Sequence, residues 1–206
     1  MTTEKVKGKK RKVAWGITGG GDKIAEYLEI MKEIKKEYEN TVEIQVFLSK
    51  AGETVLKFYG GRSKLYDLES ELKENFAKVA VEINPNSPFL AAWMQMHKFE
   101  FLLIAPATSN TVAKIANGIG DTLLSNAAIM SLKAFVPVYV VPTDYREKVV
   151  YTKLPNGKEI KLRIRKEDAE HVRKLEQMED VFVLESLQRI PEVFKKWFGQ
   201  TKSSKD

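Results

Sequence analysis

The sequence predicts a doubly wound, mainly parallel α/β sheet. Short apolar runs recur at Lys12–Ile17, Glu43–Leu48, Phe101–Ala105 and Val136–Val141. Small or polar residues follow each run, and a stretch with helical spacing comes next, the repetition that builds a parallel sheet with helices on both faces. A change of style near the end adds one exception. Apolar and polar residues alternate on both sides of Asn156-Gly157, which predicts a β-hairpin insertion near 149–165.

Composition narrows the chemistry. The chain has 206 residues and 43% hydrophobic content, enough for one substantial core. One domain over 13–199 is expected, between a basic tail at 1–12 and a second tail at 200–206. There is no cysteine, which removes disulfides, thiolate nucleophiles and cysteine-held metal centres. Two histidines make a poor metal site, so no metal is expected and any redox chemistry needs a bound organic cofactor. The net charge of +6 is concentrated at the two ends, and the body between them is neutral. That placement disfavours nucleic acid as a partner. No apolar run is long enough to cross a bilayer, and the basic start lacks a following apolar segment, so a soluble, cytoplasmic protein is expected.

Taken in order, the strand Lys12–Ile17 leads into Thr18-Gly19-Gly20-Gly21-Asp22 and a helix with Ile24, Leu28 and Met31 on its inward face. A glycine-rich strand-to-helix turn lets backbone amides approach a phosphate, and it equally serves as a plain tight turn. The strand Glu43–Leu48 ends at Ser49. A dinucleotide site would place an acidic residue near here for the ribose. Ser49-Lys50 offers a hydroxyl and a cation instead, which suits a phosphate, although Ser49 also suits a simple helix cap. Residues 50–78 read as two helices parted by Tyr59-Gly60-Gly61-Arg62. Lys78–Ile83 alternates like a strand, and Ser87-Pro88 then reads as a helix entry leading through Trp93 and Met96. Trp93 reads as core or subunit interface. Beyond the hairpin come a helix over Glu167–Met178, a strand at Val181–Leu184 and a helix ending near Phe198.

The central stretch Glu100–Met130 holds the most specific signal. Its strand breaks at Pro106, and Ala107-Thr108-Ser109-Asn110-Thr111 precede a helix that Ser109 or Asn110 would cap. Backbone N–H groups then face outward at the sheet edge where α/β proteins bind ligands. Gly118 and Gly120 make a second break, and Asp121 reads as the cap of the following helix.

The run PATSNTVAKIANGIGDTLLSNA resembles the PASANT-type motif and its continuation in the flavin-dependent cysteine decarboxylase family. Pro106, Ala107, Ser109, Asn110, Thr111, Lys114, Gly118, Asp121 and Leu123 carry that resemblance. It implies a Rossmann-like flavoprotein fold, a homo-oligomer built from trimers, and FMN. It also implies that Thr18, Gly19, Gly20 and Ser49 hold the FMN phosphate, that Ala107, Thr108, Ser109 and Asn110 lie along the isoalloxazine, and that Ser87 is a further contact. The decarboxylases carry an essential histidine in the region of residues 50–78, where this chain has none. They also carry a Pro-x-Met-Asn segment beyond the fifth strand that is missing here. His97 and His171 both read as surface residues. With its TGGG turn, FLSKAGE and LPNGKEI, the chain most resembles the archaeal branch of the family, the archaeoflavoprotein and dihydromethanopterin reductase type. That resemblance implies an electron-transfer flavoprotein served by ferredoxin or an iron–sulfur flavoprotein and delivering to a redox partner or a dihydropterin. A cysteinyl decarboxylase and a non-catalytic phospholigand-binding oligomer are the alternatives. The hairpin, with Lys153, Lys158, Lys161, Arg163 and Arg165, has four readings: a cover for the site, an oligomer contact, a dock for an acidic protein, or simply a solvated face.

Overall fold

A computed structural model of the chain describes residues 9–59, 68–154 and 156–199. Within them the strands are β1 (Arg11–Ile17), β2 (Val42–Leu48), β3 (Val79–Val81), β4 (Leu102–Ala107), β5 (Val138–Pro142), β6 (Lys148–Lys153), β7 (Glu159–Ile164) and β8 (Val181–Val183). β6 and β7 pair with each other, antiparallel. The rest form one parallel sheet in the order β3-β2-β1-β4-β5-β8. The helices are α1 (Ile24–Glu37), α2 (Lys50–Tyr59), α3 (Leu68–Asn75), α4 (Leu90–Gln95), α5 (Ser109–Ala116), α6 (Leu123–Lys133), α7 (Lys166–Glu176) and α8 (Ile190–Phe198). The expected doubly wound sheet and the hairpin insertion are both present.

Alternation along the strands sends side chains into two layers. Trp15, Ile17, Phe101 and Leu103 pack against Leu28 and Met31 of α1 and against Ile190 and Phe194 of α8. Ala14, Phe47, Leu102 and Ile104 pack on the other face with Met94 of α4, Ile115 of α5, Leu124 of α6 and Leu175 of α7. Burying one such large side chain contributes about 1.5–3 kcal/mol, so each strand is fixed from both sides. The Trp15 indole N–H donates to Ala105 O at 2.7 Å, so this buried donor is paired. Phe101 anchors the aromatic end of the same layer, with Tyr139, Phe194 and Trp197 rings 5.1–5.5 Å away.

Several element ends differ from the sequence expectation. β4 continues through Pro106 to Ala107, with a register shift against β5 between Ile104 and Ala107. α5 begins at Ser109, so Thr108 rather than Ser109 or Asn110 is its N-cap. α6 is capped by Thr122, because Thr122 and Ser125 exchange backbone-to-hydroxyl bonds of 3.2 and 3.4 Å, while Asp121 pairs with Lys114 at 2.9 Å. Ser87-Pro88 does not open a helix. Ser87 is tied back to Ile83 and Asn84 through its backbone, and α4 starts at Leu90. The Tyr59–Arg62 break falls mostly outside the described residues, as do positions 1–8 and 200–206 of the expected tails; β1 already begins at Arg11. No described helix is long and apolar enough to cross a membrane.

Candidate cofactor site

The strand order reverses between β1 and β4. The segments leaving these two strands therefore diverge to opposite faces and leave a crevice at their carboxyl ends. A cleft of about 590 Å³ opens there. Gly19–Lys23 line it after β1, Thr108–Asn110 after β4, and Thr143–Tyr145 after β5. The hairpin covers it with Val150, Thr152, Ile160, Leu162 and Ile164. These residues share one hairpin face, since Val150 pairs with Leu162 and Thr152 with Ile160. The opposite face carries Val149 and Tyr151 across from Arg163 and Lys161, and of these four Tyr151 also borders the cleft.

Thr18 holds the two central turns together. Its hydroxyl donates to Pro106 O at 2.8 Å and accepts from the Thr108 N–H at 2.9 Å, and both bonds are buried from solvent or partly so. The Thr143 N–H donates to Ala107 O at 2.9 Å, which fixes the third turn to the second. Gly20 sits inside this junction. A Cβ there would stand 2.7 Å from Thr143 Cγ2 and 3.2 Å from Pro106 Cβ, so only glycine lets the three turns close up.

The helix starts on this edge are not alike. The Gly52 N–H of α2 donates to Ser49 Oγ at 2.9 Å, and the Lys50 N–H donates to Glu82 Oε2 at 3.2 Å. At α6 the Leu123 N–H donates to Glu82 Oε1 at 2.9 Å, beside the Thr122–Ser125 exchange. Neither α1, entered from Lys23 in a left-handed conformation, nor α5, entered from Thr108, has a side-chain cap. Among the described residues no side chain takes the first-turn N–H groups of either helix, although the Ile24 N–H of α1 donates to Gly21 O at 3.4 Å. Both starts line the cleft, where such groups can meet a ligand.

Titratable groups around the cleft are unevenly placed. Burial pushes the Tyr27 phenol well above its usual range, with Asp22 and Glu26 adding to the effect, so it stays neutral at physiological pH. Asp144 is half-buried. Its Oδ2 accepts a short bond from Ser109 Oγ and a 3.1 Å bond from Thr143 Oγ1. At the foot of the hairpin the Tyr145 hydroxyl donates to Glu176 at 2.8 Å, which raises the Tyr145 pKa.

Of the residues expected from sequence, Gly19, Gly20, Thr108, Ser109 and Asn110 line the cleft together. Thr18 and Ala107 are buried next to them, in the frame rather than at the surface. Ser49 is not among the residues lining the cleft: its backbone N–H donates to Ile17 O at 3.0 Å and its hydroxyl oxygen accepts from the Gly52 N–H, while Ala51 packs on the Gly19 turn. Ser87 lies outside the cleft, on a loop that Asn126 holds through Pro85 O and Asn86 Oδ1, both at 3.0 Å. Neither histidine lines it. His97 is exposed; His171, expected at the surface, is half-buried with Nδ1 unpaired, because α7 packs on α5. Sequence reading missed Tyr27, Asp144, Tyr145 and Glu82. Asp144 followed directly on the fifth strand, the one signal that pointed to it.

The model of the flavoprotein family matches residues 1–191. The chain belongs to that family. Among curated relatives, this flavoprotein is 43% identical to an uncharacterised protein of Methanocaldococcus jannaschii, with 90% of this chain and 95% of that protein aligned. It is 32% identical to the dihydromethanopterin reductase (acceptor) of the same organism, over 89% of this chain and 95% of the reductase. Among solved structures, Burkholderia xenovorans DmrB in complex with FMN, described as a cubic protein cage for redox transfer, superposes with a TM-score of 0.75 at 29% identity, covering 92% of this chain and 96% of DmrB. A cysteine decarboxylase from thioviridamide biosynthesis shares the fold at 16% identity, with a TM-score of 0.58 and coverage of 91% and 98%.

Proposed function

We propose that this flavoprotein binds FMN in the switch-point cleft and is an oxidoreductase of the dihydromethanopterin reductase (acceptor) type. It accepts electrons from a small acidic redox protein such as ferredoxin and exchanges them with a dihydropterin. The observation that carries this reading is the pair of uncapped helix starts, α1 and α5, facing one cleft under an apolar hairpin face. Such a site suits a ligand that is anionic at one end and flat and apolar at the other. FMN has that character, and the identity to named reductases over nearly the whole chain points the same way.

In this assignment the Gly19–Gly20 turn takes the phosphate, with the Ser49 hydroxyl proton available to donate to it. Thr108, Ser109 and Asn110 present N–H groups to the ring system, and Thr18 and Ala107 hold that turn in place. Ser87 is left out of the set. Bound FMN supplies reversible one- and two-electron transfer; the chain binds and orients it and keeps water from one face. A decarboxylase reading is less well supported, since no histidine reaches the cleft and the decarboxylase neighbours are similar in fold alone.

Self-association belongs to the same proposal, as a trimer or a multiple of trimers. Phe89, Met96 and Phe135 are exposed at the ends of α4 and α6, with Phe135 81% accessible. These exposed apolar groups are candidates for a subunit contact.

The test begins with colour. Full-length protein should purify yellow or quench added FMN stoichiometrically, bleach with reduced ferredoxin under anaerobic conditions, and release no carbon dioxide from a cysteinyl substrate. A protein that neither carries nor binds FMN would overturn the assignment.

A further inference from the structure

We propose that Asp144 selects the molecule that reacts beside the flavin, by accepting N–H donors from the aminopyrimidine edge of a dihydropterin. The inference rests on the FMN and dihydropterin reading above and names the residue that makes the choice.

A carboxylate has room for about four donors. Asp144 Oδ2 is already occupied by the hydroxyls of Ser109 and Thr143, whereas no described group bonds Oδ1. Both donors sit on the rigid frame. Ser109 is the first residue of α5, and Thr143 is held by Ala107 O and packed against the Gly20 turn. The carboxylate is therefore fixed in orientation, with one oxygen consumed and the other left over at the cleft wall. No lysine or arginine is paired with it among the described residues, and the nearby Arg165 guanidinium is taken by Asp168 at 2.6 Å. Arg165 feels the charge of Asp144 but makes no direct ion pair with it, so the free oxygen still favours a ligand rich in N–H groups and repels one that presents carbonyl oxygens.

That chemistry separates the candidate ring systems. The pyrimidine edge of an isoalloxazine offers a single N–H between two carbonyls, a poor match for a fixed carboxylate. A 2-amino-4-oxo-dihydropterin offers its amino group beside a ring N–H, two adjacent donors for one oxygen. Replacing the 2-amino group by a carbonyl, as in a dihydrolumazine, turns that edge from attractive to repulsive.

The experiment compares 6-methyl-7,8-dihydropterin with 6-methyl-7,8-dihydrolumazine by equilibrium binding to the FMN-loaded full chain. The wild type is expected to prefer the pterin by about 10- to 100-fold, the range for a hydrogen bond to a charged group. Asp144→Asn, with its flavin spectrum retained, should bring that preference below about threefold. Wild-type preference in Asp144→Asn overturns this inference and leaves the FMN assignment standing. A wild type that binds FMN but not the pterin overturns the dihydropterin reading and this inference together. If Asp144→Asn does not purify with flavin, Thr143→Val removes one of the two orienting hydroxyls. It should lower the preference by about three- to tenfold, and an unchanged preference there also overturns the proposal.

Discussion

The starts of α2 and α6 and the starts of α1 and α5 lie along one edge of the same sheet, and the chain treats them differently. At α2 and α6, side chains take up the free N–H groups: Ser49, Thr122, Ser125 and, bridging both helices, Glu82. At α1 and α5 no side chain does so, although Thr108 caps α5 in backbone geometry. Every helix start presents the same orphan donors. In the proposed assignment the α2 and α6 starts are closed by the chain, with Ser49 keeping its own hydroxyl proton for the phosphate, and the α1 and α5 starts face the ligand. A missing side-chain cap alone does not make that distinction, since α4 and α8 lack one as well.

The largest effect expected from breaking this contrast is at Glu82. Glu82→Ala strips an acceptor from two helices at once and should lower the stability of the flavin-free protein by about 2 kcal/mol, with flavin affinity nearly unchanged. Paired denaturant melts and FMN titrations check both halves of that statement.

The start of α7 gives a second, smaller test of a self-satisfied helix. The Asp168 carboxylate accepts the Arg165 backbone N–H at 3.1 Å and its guanidinium at 2.6 Å. The guanidinium bond is the main cause that holds the Asp168 pKa below its usual value, against the opposing effect of burial. A depressed carboxylate contributes fully above its unfolded-state value, about pH 3.9, and loses that contribution as pH falls through the lower folded-state value. Asp168→Asn should therefore cost about 1 kcal/mol at neutral pH, the scale of a lost helix cap, and almost nothing in strong acid. Thermal melts across pH 2–7 read the convergence of the two proteins.

The smallest stability change sharpens the other side. Asn110 is exposed in the uncapped first turn of α5. Asn110→Asp places a negative charge where the helix dipole favours it, and should stabilise the flavin-free protein by about 0.5 kcal/mol. The same charge competes with an acceptor-rich ligand, so FMN should bind more weakly. A variant that gains stability and also binds FMN as tightly as the wild type would remove α5 from the site.

The family motif does line the cleft, and the expected caps within it are displaced by one residue or more. Ser109, Asn110 and Asp121 have good capping chemistry, as do Thr108 immediately before Ser109 and Thr122 immediately after Asp121. Sequence alone cannot decide between adjacent polar residues, because the choice depends on where the strand delivers the chain. β4 runs on through Pro106 to Ala107, and that extension moves the helix entry to Thr108. The hairpin was legible from its alternation and Asn156-Gly157, where Gly157 adopts a φ of +83°. Which of its faces is turned to the cleft was not, since both faces carry apolar residues: Val150 and Leu162 on one, Val149 and Tyr151 on the other.

The sequence by itself determined the strand–helix alternation, the glycine turn after β1 and the small polar turn after β4, because these depend on local periodicity and backbone preference. Tertiary structure decided the rest. It turned Thr18 from an expected ligand contact into a buried strut, brought Asp144 onto Ser109 across thirty-five positions of chain, and left Ser87 outside the cleft. Those outcomes depend on distances between segments far apart in sequence. They are set by how two layers of side chains close on one sheet, which no stretch of residues specifies alone.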